Sequence, residues 1–598
     1  METTTFPKAD ANELMKTASA LCALGEKLAG SDEEAKAVDT ICARLRGYGF
    51  EPVVEEYDNY IGYPTRTEVR MGGAEGEPLE AVGVAFGGVT PPEGSTFELQ
   101  DVGHGKATDY ATADVSGKAV LVRGIPTFGL VSAALKRGAA AVVCVTDGPQ
   151  RHKMTLSPVW GSPATDAELA RMPRLPVATV NKPDGERLAA GIASAEAGEA
   201  RVHIVAEHFE GWRRVRLPVL DIPGTEPEFV LLGSHYCTWF DGSTDNITAN
   251  ALLVEVARLM RARSAPRRYG LRLAWWPGHT HGRYSGSAVY ADAHWRELRD
   301  RAILYFNVDS VGARDASLCL ARNQMAEISD FSAAMLDELV GPLSRRDLER
   351  TKRQWKRPER SGDMTRPSRS SDQSFWGVGL TSLQIVSMLP DGHPDRSPTI
   401  NGSGGAWWWH TDQETLDKIG PDILARDSDV HFRIIDAITT GKLLPLDVRV
   451  MARDIKGVLE EYDEAAAGRV DLQALWAASR DFEAAADEMA AYGANAGADA
   501  RDALSYDRAL LAVTRMINPV VYQAGSAFAQ DPATKTRLLP GLAGLLDLAP
   551  AGSDALKMQI IGLRRQVNRT VDALTQATRR IRQEISRTGS AQQRGYSA

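Results

Sequence analysis

The sequence predicts an α/β fold, a mostly parallel sheet flanked by helices, with a helical region after it. Three observations carry this. Short apolar runs, EFVLLGS (228–234), LRLAWW (271–276), AILYFNV (302–308) and TSLQIVSML (381–389), read as buried strands. Segments of helical period, DNITANALLVEVARLMRAR (245–263) and SGSAVYADAHWREL (285–298), alternate with them, as parallel sheets require. After about residue 425 the chain is rich in Ala, Leu, Asp, Glu and Arg at helical spacing, as in DLQALWAASRDFEAAADEMAAY (471–492).

Residues 11–48 read as helix, with Leu14, Ala18, Leu21, Val38, Ile41 and Leu45 on an apolar stripe, and EPVVEEY follows as strand. From about 76 to 210 glycine rises. There KAVLVRG (118–124), AAAVVCV (139–145) and LPVATV (175–180) read as short strands, with a helix over LVSAALKRGAA (130–140). This reads as an inserted β-rich module without a polar constellation of its own. Thr244 reads as the cap of the helix that follows it. The division expected is 1–75, the first part of the α/β domain; 76–212, the insert; 213–425, the rest of the α/β domain; and 426–598, a helical domain.

Totals bound the function. The 598 residues are too many for one core. A net charge of −9 with no basic tract argues against nucleic acid as partner. No apolar run reaches the roughly 18 residues of a membrane span, and the N-terminus does not read as a secretory signal. The five cysteines form no CxxC pair and no disulfide framework, so a cytoplasmic location is expected.

In an open parallel sheet, ligands sit at the carboxyl ends of the strands. His235, His279 and Asp309 stand there, with Asp245 at the next helix and His410 after NGSGGAWWWH. Two His–Asp pairs suit a divalent first-row metal. The stretch WWPGHTHGRYSGS (275–287) adds Thr280 and His281. Three roles are open to His279: base, metal ligand, or donor to substrate. His281 would support it if the two share a strand face. The Thr280 hydroxyl would orient water. Trp239 and Trp409 offer pocket walls, and Arg283, Arg366 and Arg369 offer anchors for a substrate carboxylate.

These residues resemble the co-catalytic zinc aminopeptidases and the related glutamate carboxypeptidase and transferrin-receptor group. The resemblance rests on LLGSHYCTWFDGSTDNITANALLVEVARLM (231–260), NVDSVG (307–312), SDQSFWGVGLTSLQI (371–385) and HTDQETLDKI (410–419). DVSGKAVLVRG (114–124) resembles a protease-associated domain. PLDVRVMARDI and YDRALLAVTRMINPVVYQ resemble the group's helical dimerisation domain. The resemblance implies that His235, Asp245 and Asp309 hold one metal and that Asp245 bridges to a second, held also by His410. It implies zinc, as one or two ions, with manganese or iron as alternatives, and a homodimer through the C-terminal helices. The group's Gly-Glu-Glu is replaced here by Gly278-His279-Thr280, so the general base and one ligand carboxylate are altered. Cys237 stands where the group has a supporting Asp. The expected activity is hydrolysis of a peptide or small-molecule amide-like bond. The alternatives are a non-hydrolytic metal enzyme (a lyase or an iron-dependent reaction) and a non-catalytic binding protein of the same fold.

Overall fold

The four apolar runs form strands Phe229–His235, Gly270–Trp276, Ala302–Val308 and Thr381–Met388, all mutually parallel where they pair. The structure is a computed structural model that describes residues 6–111, 113–196, 198–342, 371–497, 499–533 and 537–595. Strand 229–235 is central, with 270–276 on one side and 302–308 on the other. The chain reverses direction of winding there, which opens a crevice at the carboxyl ends. Edge strand Leu318–Arg322 runs antiparallel to 381–388, and strand Arg201–Ile222 runs antiparallel to 270–276.

The central strands are buried on both faces, which explains their unbroken apolar composition. Val230, Leu232, Leu273 and Phe306 join the core under helices Ala11–Cys22, Asp32–Gly47 and Thr248–Ala262. Leu231, Ala274, Trp276 and Tyr305 pack on the opposite face. Residues 11–48 are two helices rather than one: Gly25 and Gly30 take positive φ between them, and Ser31 caps the second.

Gly233 lies directly under the Trp276 indole, and a Cβ there would collide with the ring. Gly233→Ala is expected to cost about 1–3 kcal/mol by overpacking, read as a lowered urea midpoint at unchanged slope.

The insert joins through a ribbon. Strand Val53–Met71 pairs along its length with 201–222, so the expected boundary at 212 falls inside a continuous strand. A change in composition marks a module, but a long ribbon can carry the backbone through it. Beyond the ribbon, strands Ser95–Asp101, Ala119–Arg123, Ala141–Val145 and Val177–Val180 are parallel, with helices Phe128–Leu135 and Lys182–Ser194. The insert is thus an α/β unit with its own core rather than a β-rich one.

Helices Val448–Ala466, Gln473–Ala496, Ala500–Val521 and Asp554–Gly595 form the C-terminal region. Buried Asp507 ties it to the sheet, accepting from Tyr269 Oη (2.6 Å) and from Leu444 N–H (2.8 Å). Among the described residues no helix is long and apolar enough to cross a membrane. All five cysteines are buried and unpaired.

Candidate metal centre

Strand 229–235 delivers His235 to the crevice. The Asn250 amide donates to its backbone carbonyl (2.9 Å), and its Nδ1 lies 3.0 Å from the Cys237 carbonyl. That contact turns Nε2 outward, toward Asp245 Oδ1 at 3.0 Å.

Asp245 sits in the turn Ser243–Ile247 in an extended conformation (φ −137°, ψ 80°), before helix 248–262 rather than within it. Thr244 makes no cap. Its hydroxyl donates instead to Glu414 Oε1 (2.7 Å). The Asn246 amide donates to Ser234 Oγ and to the Val308 carbonyl, which fastens the turn to two strand ends. The second Asp245 oxygen, Oδ2, accepts the Trp409 indole N–H and lies 3.0 Å from His410 Nε2. The His410 Nδ1 faces the Lys153 carbonyl of the insert at 2.8 Å.

His279 completes the cluster. Its ring stacks on His235 with centroids 3.8 Å apart, and its backbone N–H donates to Cys237 Sγ (3.2 Å). Asp309 follows strand 302–308 and accepts from the Ser310 hydroxyl (3.1 Å). His235, His279 and Asp309 bring one potential ligand atom each within 4.8 Å of one another. His235 Nε2 and Asp245 Oδ1 are buried against each other, and His279 Nδ1 is buried without a hydrogen-bond partner. Buried polar groups left in this way are costly unless something else meets them. These residues therefore fit a divalent metal.

The electrostatics agree. Burial disfavours a charged His279, and its stacked neighbour His235 adds to this, so the imidazole is held well below its usual pKa. Burial opposes ionisation of Asp245, but His235 and His410 outweigh it and hold the carboxyl well below the usual range. Asp309 is pushed up, by burial and then by the charge of Asp245.

The cluster opens on a cavity of about 430 Å³. Thr280, Arg283 and Trp409 line it, as the sequence suggests. Two candidates do not. His281 is fully buried, edge-on to Trp239 (4.2 Å), and accepts from Ala29 N–H (3.4 Å). Trp239 packs in a separate apolar cluster with Phe86, Val159 and Met172. The reason is local: residues 278–284 form a turn, with Gly282 N–H bonded to the Gly278 carbonyl and Tyr284 N–H to that of His279. His279 and His281 therefore do not share a face. Arg366 and Arg369 lie outside the described residues.

Three contributors were not anticipated. Glu414 accepts from Thr244, from Ser403 Oγ (2.7 Å) and from His410 N–H (2.8 Å), so one carboxylate ties the Asp245 and His410 segments together. Arg322 lines the cavity from the edge strand. The insert supplies Ile125, Thr127, Met154 and Thr155 to the wall, although the sequence showed no polar constellation there.

Residues 219–435 match the family model described as peptidase family M28. A curated maize protein, the probable glutamate carboxypeptidase VP8, is 25% identical over 352 residues. The match covers 48% of this chain and 48% of the maize protein, so it spans about half the length of that relative. An aminopeptidase from Aneurinibacillus sp. strain AM-1 superposes with a TM-score of 0.51 at 22% identity, covering 72% of this chain and 94% of its own. The zinc aminopeptidase BSAP from Bacillus subtilis gives 0.54 at 19% identity, covering 72% and 95%. These two likenesses bear on the fold. Residues 219–435 are thus similar to peptidase family M28, and the sheet and helices around the cluster share the fold of these two aminopeptidases.

Proposed function

We propose that this chain is a metal-dependent hydrolase of a peptide or small-molecule amide-like bond, with zinc as the ion and His279 in place of the glutamate base. The observation that carries the reading is the convergence of His235, His279 and Asp309, beside Asp245, at the wall of a cavity. A bound divalent ion there would polarise a carbonyl and lower the pKa of water.

The chain's own groups do the rest. His279, kept neutral, is the lone-pair donor at its position. The Cys237 carbonyl fixes the His235 ring so that Nε2 faces the cluster. The Trp409 N–H holds Asp245 Oδ2 and so sets the plane of that carboxylate. Thr280 orients water, and Arg283 offers a charged anchor on the same wall. The insert acts as a protease-associated unit that closes one side of the cavity. The C-terminal helices form the homodimer surface, and the protein works in the cytoplasm.

The test is removal of metal. Treatment with a strong chelator is expected to lower the hydrolysis of acyl-amide and aminoacyl-amide probes at least 100-fold, with zinc restoring it. Hydrolysis that is insensitive to stripping would overturn the reading. Bound iron with no hydrolysis would favour a non-hydrolytic reaction instead.

A further inference from the structure

Lys27 is a charged group that the chemistry above does not use. It follows helix Ala11–Cys22 and is fully buried. Its ammonium donates to three backbone carbonyls: Leu21 in the last turn of that helix (3.3 Å), Gly25, and Asp241 (3.3 Å). Three carbonyl dipoles, one of them at the negative end of a helix, take the place of a carboxylate. Desolvating an ammonium is costly, and an apolar side chain of the same length would fill the space without that cost. The charge has to be explained by what it holds.

It holds the loop 236–242, the chain between His235 and Asp245. Thr238 N–H donates to the Lys27 carbonyl (3.3 Å), Lys27 N–H to Thr238 Oγ1 (3.4 Å), and Phe240 N–H to Glu26 Oε1 (3.0 Å). The loop is tight. Phe240 takes φ 50°, a left-handed conformation that is uncommon for an aromatic residue. Gly242 takes φ 58°, and a Cβ there would collide with Thr238 and with the Asp245 carbonyl. Such backbone persists only where its surroundings impose it. Glu26 holds the N–H of Phe240, and the Thr238 hydroxyl holds its carbonyl (2.9 Å). Lys153 of the insert lies over the Phe240 ring (4.3 Å) and pairs with Glu26 (2.7 Å). The Lys27 ammonium then ties the next carbonyl, that of Asp241, to the end of the first helix.

We propose that Lys27 is a positioning residue for hydrolysis: its charged side chain ties loop 236–242 to the first helix and so sets where His235 and Asp245 stand relative to each other. It acts on both through the loop. The proposal rests on the metal-hydrolase reading above and deepens it by naming a buried cation on which the geometry of the site depends. Burial pushes the ammonium down to about 8, while Cys22 on the helix, Asp241 and Cys237 on the loop, and Glu26 beside it pull the other way. Lys27 is therefore charged at neutral pH and loses its proton as the pH rises through about 8. A neutral amine makes the weaker bonds of an uncharged donor, so the grip on the three carbonyls slackens and the loop with it.

The test compares full-length wild type with Lys27→Met, which keeps the length of the side chain and removes its charge. Steady-state kinetics of an amide probe are followed from about pH 6.5 to about pH 9.5, and Zn²⁺ is titrated by calorimetry into chelator-stripped protein. At neutral pH, Lys27→Met should lose about 10–100-fold in kcat, the scale of a misplacement transmitted from outside the reacting groups, with KM changed less than about 3-fold. The wild type should fall toward that level as the pH rises through about 8, whereas Lys27→Met should stay flat over the same interval. Zinc affinity should weaken about 10-fold in the variant, the low end for loss of an outer partner. Should Lys27→Met fail to fold, Glu26→Gln keeps an acceptor for Phe240 and removes an anion that favours the ammonium, so the alkaline fall should move to lower pH; a fall left in place would overturn the proposal. Lys27→Met that matches the wild type in kcat and zinc affinity, or that loses turnover yet keeps the same alkaline fall, would overturn the role of the charge and leave the hydrolase reading standing. A wild type that hydrolyses no probe, with zinc affinity still weakened in Lys27→Met, would overturn the hydrolase reading and keep the positioning role.

Discussion

His279→Ala is expected to lower kcat/KM for an amide probe by about 10²–10⁴, the range lost with a positioned lone-pair donor. The fold should survive. The ring lines the cavity and packs on His235 and Tyr284, whereas the turn that carries it is held by backbone bonds from Gly282 and Tyr284. A change of a few degrees in Tm is therefore the most that this substitution should bring. The effect on chemistry is large because no other described group can replace the ring. Thr280 lacks a basic nitrogen, and His281, two residues on, is enclosed between Trp239 and Tyr63. Burial also keeps the His281 ring well below its usual pKa, and it lines no part of the cavity. His281→Ala should accordingly act on stability first and on turnover only through packing. Steady-state kinetics with circular dichroism on both variants checks the pair. Full activity in a folded His279→Ala protein would remove that residue from the chemistry.

Much of this site was legible in the sequence because of one physical regularity. Strands buried on both faces must be apolar throughout, so the first polar residue after each run marks the carboxyl edge. His235 and Asp309 follow from that rule, and His279 nearly so. What stayed hidden depends on how loops turn. Whether Trp239 faces the cavity or the core cannot be read from its spacing to His235. The pairing of His279 with His281 assumed an extended chain, and the turn at 278–284 undid it. Thr244 carries a helix-capping signal in a segment that folds as a turn, and its hydroxyl finds Glu414 instead. Contacts across 170 residues of sequence, such as this one, leave no local trace. The insert's share in the wall was hidden for a related reason. Ile125 and Met154 look like ordinary core residues until the ribbon folds them over the crevice.

Glu414→Ala is expected to destabilise the protein by about 3 kcal/mol and to weaken zinc binding about 10–100-fold, whereas Glu414→Gln should retain most of both. The carboxyl is 1% exposed and meets three donors. Alanine leaves a buried backbone N–H on His410 without an acceptor and frees the Thr244 hydroxyl next to Asp245, so both segments loosen together. Glutamine keeps an acceptor oxygen in nearly the same place. The pH dependence separates charge from shape. Burial, and then the neighbouring Asp245, push the Glu414 carboxyl up to about 8 in the metal-free chain, from 4.5 for the ordinary group. An acid whose folded pKa exceeds its unfolded value keeps its proton longer when folded. The unfolded chain ionises first, so this group subtracts stability progressively from about pH 4.5 to pH 8. Glutamine does not titrate and escapes that loss. Urea unfolding of chelator-treated protein should therefore show Glu414→Gln gaining on the wild type as the pH rises from 5 to 8, with Glu414→Ala below both. A difference between Glu414→Gln and wild type that stays constant with pH would mean that Glu414 is ionised throughout, its charge held by the three donors against burial.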